Sequence, residues 1–385
     1  MKITQFIIFF SIVLVIYSSA NYYIFIRGCQ ALQALPRLKI LYYVVFGILF
    51  LSYLAAMFLA RNYPSPLSAA LDWAGSFWLG AMVYFFFFVI FWDIIRLINY
   101  FFHFYPSLVT ANYPLTKLYV LGFTVFTVIA VLLGGFINAT HPVVKELNLE
   151  IDKKAGKLEN LRIVSVSDIH MGEIIGRSRI SKLAERINKL EPDIVLLPGD
   201  LLDQDLNSVL KYKSGEPLKN IKAKFGVYAI TGNHEYIGGI KKAAAYIESL
   251  DIVLLRDSTA LIDSSFYLIG REDRDSKRFA GIGRKTLVEL LKGVDKNLPL
   301  ILLDHQPFHL EDAEKNGIDL QLSGHTHHGQ LWPFGYITNK IYELSWGYKR
   351  KGNTQYYVSS GYGTWGPPIR TGNTPEIVLI NLTFK

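Results

Sequence analysis

The chain has 385 residues, room for two domains, with 51% hydrophobic residues and a formal net charge of +8. Its one cysteine, Cys29, excludes an intrachain disulfide and a thiolate metal cluster. Up to Thr140 there are seven Lys or Arg and two acids, against 33 and 30 beyond it, so the positive balance comes largely from the apolar end and makes no strong case for nucleic acid.

Four apolar runs, about 6–26, 40–60, 73–92 (extendable to 98) and 118–137, are long enough to cross the roughly 30 Å of bilayer hydrocarbon, which takes about 20 helical residues. Their ends carry Tyr, Trp and basic residues, as interfacial anchors do. Pro64, Pro66, Pro106 and Pro114 lie between runs, where helices break. The expectation is an all-α transmembrane part of about four helices over residues 1–140. The first run can also be read as a signal peptide, with Tyr17-Ser18-Ser19-Ala20 as its cleavage site. Its continuation through Tyr22-Tyr23-Ile24-Phe25-Ile26 fits a retained helix better. Arg27, Arg37, Lys39, Arg96 and Lys117 follow the first and third runs, against Lys2 and Arg61 on the other side. This bias puts the C-terminal half outside the cytoplasm, although Lys145, Lys153, Lys154 and Lys157 nearly cancel it. Localisation is thus expected to be the cell membrane, with the C-terminal half extracytoplasmic. Asp93 and Arg96 read as a local pair rather than a transport site.

From about His141 the pattern changes. Strands are predicted at 161–166, 193–197, 225–230, 252–255, 260–262, 266–269, 300–303, 318–322, 356–359 and 376–382. Helices are predicted at 178–190, 241–250, 286–291 and 310–316. The alternation predicts an α/β domain over residues 141–385. Five of the strands run into polar clusters: Ser167-Asp168-Ile169-His170, Pro198-Gly199-Asp200, Thr231-Gly232-Asn233-His234-Glu235, Asp304-His305 and Ser323-Gly324-His325-Thr326-His327. Ligands of α/β sheets sit beyond the carboxyl ends of strands, so adjacent strands would bring these loops to one rim.

The candidates there are Asp168, His170, Asp200, Asn233, His234, His305, His325 and His327. Carboxylate, imidazole and carboxamide donors suit borderline divalent ions such as Mn²⁺, Fe²⁺ or Zn²⁺. Seven ligands are too many for one tetrahedral site and suit two ions sharing a carboxylate. In Asp168-x-His170 and His325-x-His327 an extended backbone would point both ligands the same way.

The five blocks, in this order and each after a predicted strand, resemble the calcineurin-like metallophosphoesterase superfamily, and the text around them its membrane-associated bacterial members. The resemblance covers about residues 145–385 and leaves the apolar runs outside. It implies a two-sheet β-sandwich flanked by helices. It implies that Asp168, His170 and His327 hold one metal, that Asn233, His305 and His325 hold a second, and that Asp200 bridges both. His234 would be the catalytic imidazole that stabilises charge or protonates the leaving oxygen. Two divalent ions about 3.5–4 Å apart would supply a hydroxide near neutral pH to attack a phosphoester or pyrophosphate.

Other residues carry a weaker signal. Arg370, in a Gly- and Pro-rich loop, could meet a substrate phosphate or serve as a structural arginine. Asp203 and Asp304 could orient ligand imidazoles or be structural. Glu235 is expected to make a structural hydrogen bond, and His309 and His328 to be solvated. The aromatic and basic stretch 335–351 could lie against lipid head groups or be a solvated face. The expected partners are membrane lipid and a phosphorylated small molecule or lipid, with no nucleic acid. The competing readings are a membrane sensor or scaffold without turnover on the same fold, and a nuclease.

Overall fold

A run of apolar residues punctuated by proline makes long helices. In the computed structural model, which describes residues 3–63, 65–203 and 206–385, these are α1 (Ile3–Ala31), α2 (Pro36–Asn62), α3 (Pro66–Phe102) and α5 (Tyr113–Thr140). The short α4 (Ser107–Ala111) precedes the last of them. Lys2 and Pro64, and the side chain of Arg61, lie outside what is described. Proline opens α2 and α3 in the first turn, where its missing N–H is not needed. Ser65 caps α3, accepting from the Ser68 amide at 3.2 Å while Ser68 Oγ accepts from the Ser65 amide at 2.8 Å. The helix then runs 37 residues, longer than its apolar run suggests, until His103 turns left-handed at φ 47°. Among the described residues, four helices are long and apolar enough to cross a membrane: Phe10–Ala31, Pro36–Leu59, Pro66–Phe102 and Tyr113–Thr140. Asp93 of α3 pairs with Arg96, as the spacing predicts, and also with Arg27 of α1.

The chain divides into two compact units: residues 1–137 with 366–369, and residues 138–365 with 370–385. Among its described residues the second contains twelve strands in two sheets. The first sheet has the order β1 (Val143–Ile151), β12 (Glu376–Phe384), β2 (Asn160–Ser165), β3 (Ile194–Pro198), β4 (Val227–Ile230), β5 (Val253–Leu254). The second has the order β10 (Gly347–Lys351), β11 (Thr354–Val358), β9 (Leu320–Ser323), β8 (Leu300–Leu303), β7 (Phe266–Gly270), β6 (Ser258–Ile262). Runs such as Ile194–Pro198 and Leu300–Leu303 are buried throughout because both faces of each sheet are covered. Ile163, Leu196, Val378, Leu268, Ile301 and Leu320 meet between the sheets. Helices α6 (Arg177–Lys189), α7 (Leu206–Tyr212), α8 (Asn233–Gly238) and α9 (Ile240–Glu248) follow strands of the first sheet. Helices α10 (Ser276–Ala280), α11 (Leu287–Leu290), α12 (Leu310–Asn316) and α13 (Gly335–Ile341) follow those of the second. The spacing of Ile180, Leu183 and Ile187 predicts the inner face of α6, and those residues pack on Val195 and Leu197. On the other side α11 and α12 cover Ile269, Leu300 and Leu302. The architecture is therefore helices, sheet, sheet, helices.

What matters for function is strand direction. β2, β3 and β4 are parallel neighbours, as are β8 and β9. The five loops that leave them carry all five polar clusters.

Candidate metal centre

The tight loops at this rim are strained. Asp168, His170, Asp200, His325 and His327 all have positive φ, between 44° and 71°. Non-glycine residues persist there only where their surroundings over-determine them. Part of that determination is close approach: a Cβ on Gly232 would strike the Asp200 carboxylate, and one on Gly324 the Asp168 carboxylate. The amide of His325 donates to Asp168 Oδ1 at 2.9 Å, and that of His234 to Asp200 Oδ1 at 2.9 Å. Glu235 accepts from the amides of Gly232, Leu202 and Asp200 at 2.7, 2.9 and 3.2 Å, locking the β3 and β4 loops together.

The donor atoms fall into two trios, Asp168, His170 and His327, and Asp200, His305 and His325, each with ligand atoms within 4.8 Å of one another. A third grouping is His170, Asp203 and His234. His170 Nε2 lies 3.0 Å from His327 Nε2 and 3.9 Å from Asp200 Oδ2. His327 Nε2 is 3.5 Å from Asp168 Oδ1. Across the site His305 Nε2 is 3.1 Å from Asp200 Oδ2, and His325 Nδ1 is 2.9 Å from Asn233 Oδ1. Asp200 thus reaches toward both trios.

This donor set fits divalent cations. His305 Nδ1 is 2.7 Å from the Pro198 carbonyl and must donate to it, which leaves Nε2 facing a carboxylate. That Nε2 is buried 3.1 Å from Asp200 Oδ2, and His170 Nδ1 is buried with no hydrogen-bond partner among the described residues. Burial drives His170 down to about 4 and His325 to about 3, with neighbouring histidines adding to the effect, so both present neutral imidazoles at pH 7. Burial likewise pushes the Asp168 carboxyl up to about 6. Buried carboxylate, imidazole and carboxamide donors converging in this way form a set that divalent cations would satisfy.

His234 stands apart. Its Nδ1 is 3.1 Å from Asp203 Oδ1, its ring meets His170 edge-on at 4.5 Å, and Trp365 lies 6.4 Å away. Burial opposes its charge, but Asp200 and then Asp203 outweigh burial and raise it to about 9.

Arg370 does not reach the rim as a free cation. It is fully buried and donates to the carbonyls of Ser360 (2.8 Å), Gly361 (3.2 Å) and Gly363 (3.0 Å), with NH2 3.2 Å from His327 Nδ1. The expectation that it meets a substrate phosphate is therefore corrected: with its donors engaged by the loop, it holds the loop against His327. Asp304 is also structural, paired with Arg271 at 3.0 Å and Arg284 at 2.9 Å. His309 is exposed beside Glu311, and His328 bonds Ser345 Oγ at 2.9 Å. Sequence reading missed Asn373 and Asn138. Asn373 donates to the carbonyls of His327 and His328, and Asn138 donates to those of Arg370 (2.9 Å) and Asn373 (2.7 Å). The one available signal was a lone Asn at the end of an apolar run.

The family model for calcineurin-like phosphoesterases matches residues 161–329. An uncharacterized metallophosphoesterase of Campylobacter jejuni is 30% identical over 399 residues, covering 99% of each chain. The chain belongs to the calcineurin-like phosphoesterase family. Another such metallophosphoesterase, from Helicobacter pylori, is 33% identical over 254 residues, 66% of this chain and 67% of that one. A transmembrane protein with a metallophosphoesterase domain from Danio rerio is 33% identical over 261 residues, 64% of this chain and 59% of that one. The matched residues 161–329 run from β2 through the His325–His327 loop and so include every donor of both trios of the phosphoesterase domain.

Proposed function

We propose that the protein is a membrane-anchored phosphoesterase with two divalent metal ions, Mn, Fe or Zn. Asp168, His170 and His327 would hold one ion and Asn233, His305 and His325 the other, with Asp200 shared. The observation that carries this reading is the pair of donor trios, with the buried Asp200 carboxylate of one reaching to 3.9 Å from His170 of the other. The bound ions would supply positive charge to the phosphoryl oxygens and acidify a water. The chain's own residues do the rest. Asp168 and Asp200 fix the loops through backbone amides, so the imidazoles are held before any ligand arrives. His234, held by Asp203, places a proton beside the reacting centre for the leaving oxygen.

The four long apolar helices support anchoring in a membrane, as does the likeness to a relative described as a transmembrane protein. The membrane is taken to be the cell membrane, and the flanking charges lean, by a margin that the lysines after residue 140 nearly cancel, toward a phosphoesterase domain outside the cytoplasm. Anchoring in turn favours a substrate at the lipid surface, a phospholipid head group or a lipid-linked pyrophosphate. The near balance of charge beyond residue 140 speaks against nucleic acid.

The test uses the full-length chain purified with Mn²⁺ and a chromogenic phosphodiester. Turnover with two metal equivalents is expected, and Asp200→Asn should abolish turnover and lower metal content at both sites. Unchanged stoichiometry in that variant would overturn the shared-ligand role.

A further inference from the structure

We propose that α13 and the loop before it form an interfacial face by which the phosphoesterase domain rests on the head-group region of the bilayer that holds the chain's own helices. The inference rests on those helices crossing a membrane. Helix α13 has the sequence GYITNKI, and none of its seven residues is buried. Tyr336 is 69% exposed, Ile337 54% and Ile341 57%, with Trp332 just before them at 56%. On a helix Tyr336, Ile337, Lys340 and Ile341 fall on one side. A water-soluble surface helix turns its apolar side inward, and this one turns it outward. Single exposed apolar residues are ordinary, but a contiguous group marks an interaction site. Aromatic rings, branched aliphatics and a lysine together are the composition of a segment lying in a membrane interface.

The partner is chosen by where this face is tied. Asn138 is among the last residues of α5, and it donates to the carbonyls of Arg370 and Asn373. The amide of Thr371 in turn donates to the Gln330 carbonyl at 3.1 Å, and the Trp332 amide to Thr371 Oγ1 at 3.0 Å. The point where the last apolar helix ends is therefore a few hydrogen bonds from Trp332. Trp365, 58% exposed, is bound into the same loops, its amide donating to Gln330 Oε1 at 2.9 Å. The helix N-terminus backs onto the metal-centre loop, where a Cβ on Gly335 would meet the His328 carbonyl at 3.3 Å. A face so placed lies beside both the exit from the bilayer and the ligand His327. It would immerse its side chains by about 5–10 Å, as interfacial helices do, and bring the rim to the level of lipid phosphates.

Full-length protein in vesicles of phosphatidylcholine with a minority of phosphatidylglycerol provides the test. On a Cys29→Ser background, single cysteines are placed by Tyr336→Cys, Ile337→Cys, Leu261→Cys or Ile129→Cys, labelled with a fluorophore and exposed to nitroxide-bearing lipids. Leu261 is exposed on β6, at the opposite edge of its sheet from β10, and Ile129 lies within α5. Loss of fluorescence at 336, 337 and 129, but not at 261, is the expected result. Quenching at 129 with none at 336 and 337 would leave the membrane reading standing and overturn this one, freeing the face for a protein partner or a second copy. No quenching at 129 would remove the premise, and the proposal with it.

Discussion

His234 is held by Asp203 on Nδ1, with the ring of Trp365 6.4 Å away. If it serves the leaving oxygen, His234→Ala should keep both metal equivalents and lose about 10²–10⁴-fold in kcat. Metal analysis beside turnover checks this, and loss of one equivalent would make it a ligand instead. Glu235 belongs to the scaffold. Glu235→Ala leaves three buried amides without an acceptor, so a stability loss of about 3 kcal/mol or more is expected. Thermal unfolding would register it, and an unchanged midpoint would mean that water replaces the carboxylate. The motif residues were legible because each block is local, a few positions long directly after a strand, and three of the five carry glycine at Gly199, Gly232 or Gly324. Arg370 and Asn138 were not. Their partners include carbonyls, and for Asn138 these lie 232 and 235 residues away, which no local pattern can announce.

Among the elements, the buried ones were the readable ones. β3 and β8 are uninterrupted apolar runs, and α6 shows its inner face at the helical period. The missed strands lie at sheet edges. These are β1, largely exposed over its first residues, and β10, which carries Lys349 and Lys351, both paired with Glu343. That pairing also accounts for the charge run, which edge strands use to discourage further pairing. Centre and edge should differ in energy as well. Ile380→Ala, in the middle of β12 and fully buried, is expected to cost about 2–5 kcal/mol. Leu147→Ala in β1 is only half-buried and should cost clearly less. Denaturant midpoints of the two variants decide it, and equal losses would contradict the assigned burial.

For the molecule as a whole, the division into units matters for what can be cut apart. The second unit starts at Asn138, before the first strand. Arg179 bonds the Ala139 carbonyl, and Arg186 the Pro142 carbonyl at 2.7 Å. A fragment starting at Lys145 loses these contacts and the first two rungs of β1, where Val143 and Val144 pair with Glu376 and Ile377. A fragment starting at Asn138 should therefore melt at a higher temperature than one starting at Lys145. Identical melting would show that the helix end contributes nothing to this domain. The nine rungs between β1 and β12 have another consequence, one of timing. β12 lies between β1 and β2, yet it follows every other strand of both sheets in the chain. On the proposed membrane reading, the apolar helices insert one by one as they emerge during translation. The first sheet must wait with a gap between its two earliest strands. A ribosome stalled anywhere after β2 would hold the apolar helices attached to an open, sticky edge, and closure would come only with the last rung synthesised.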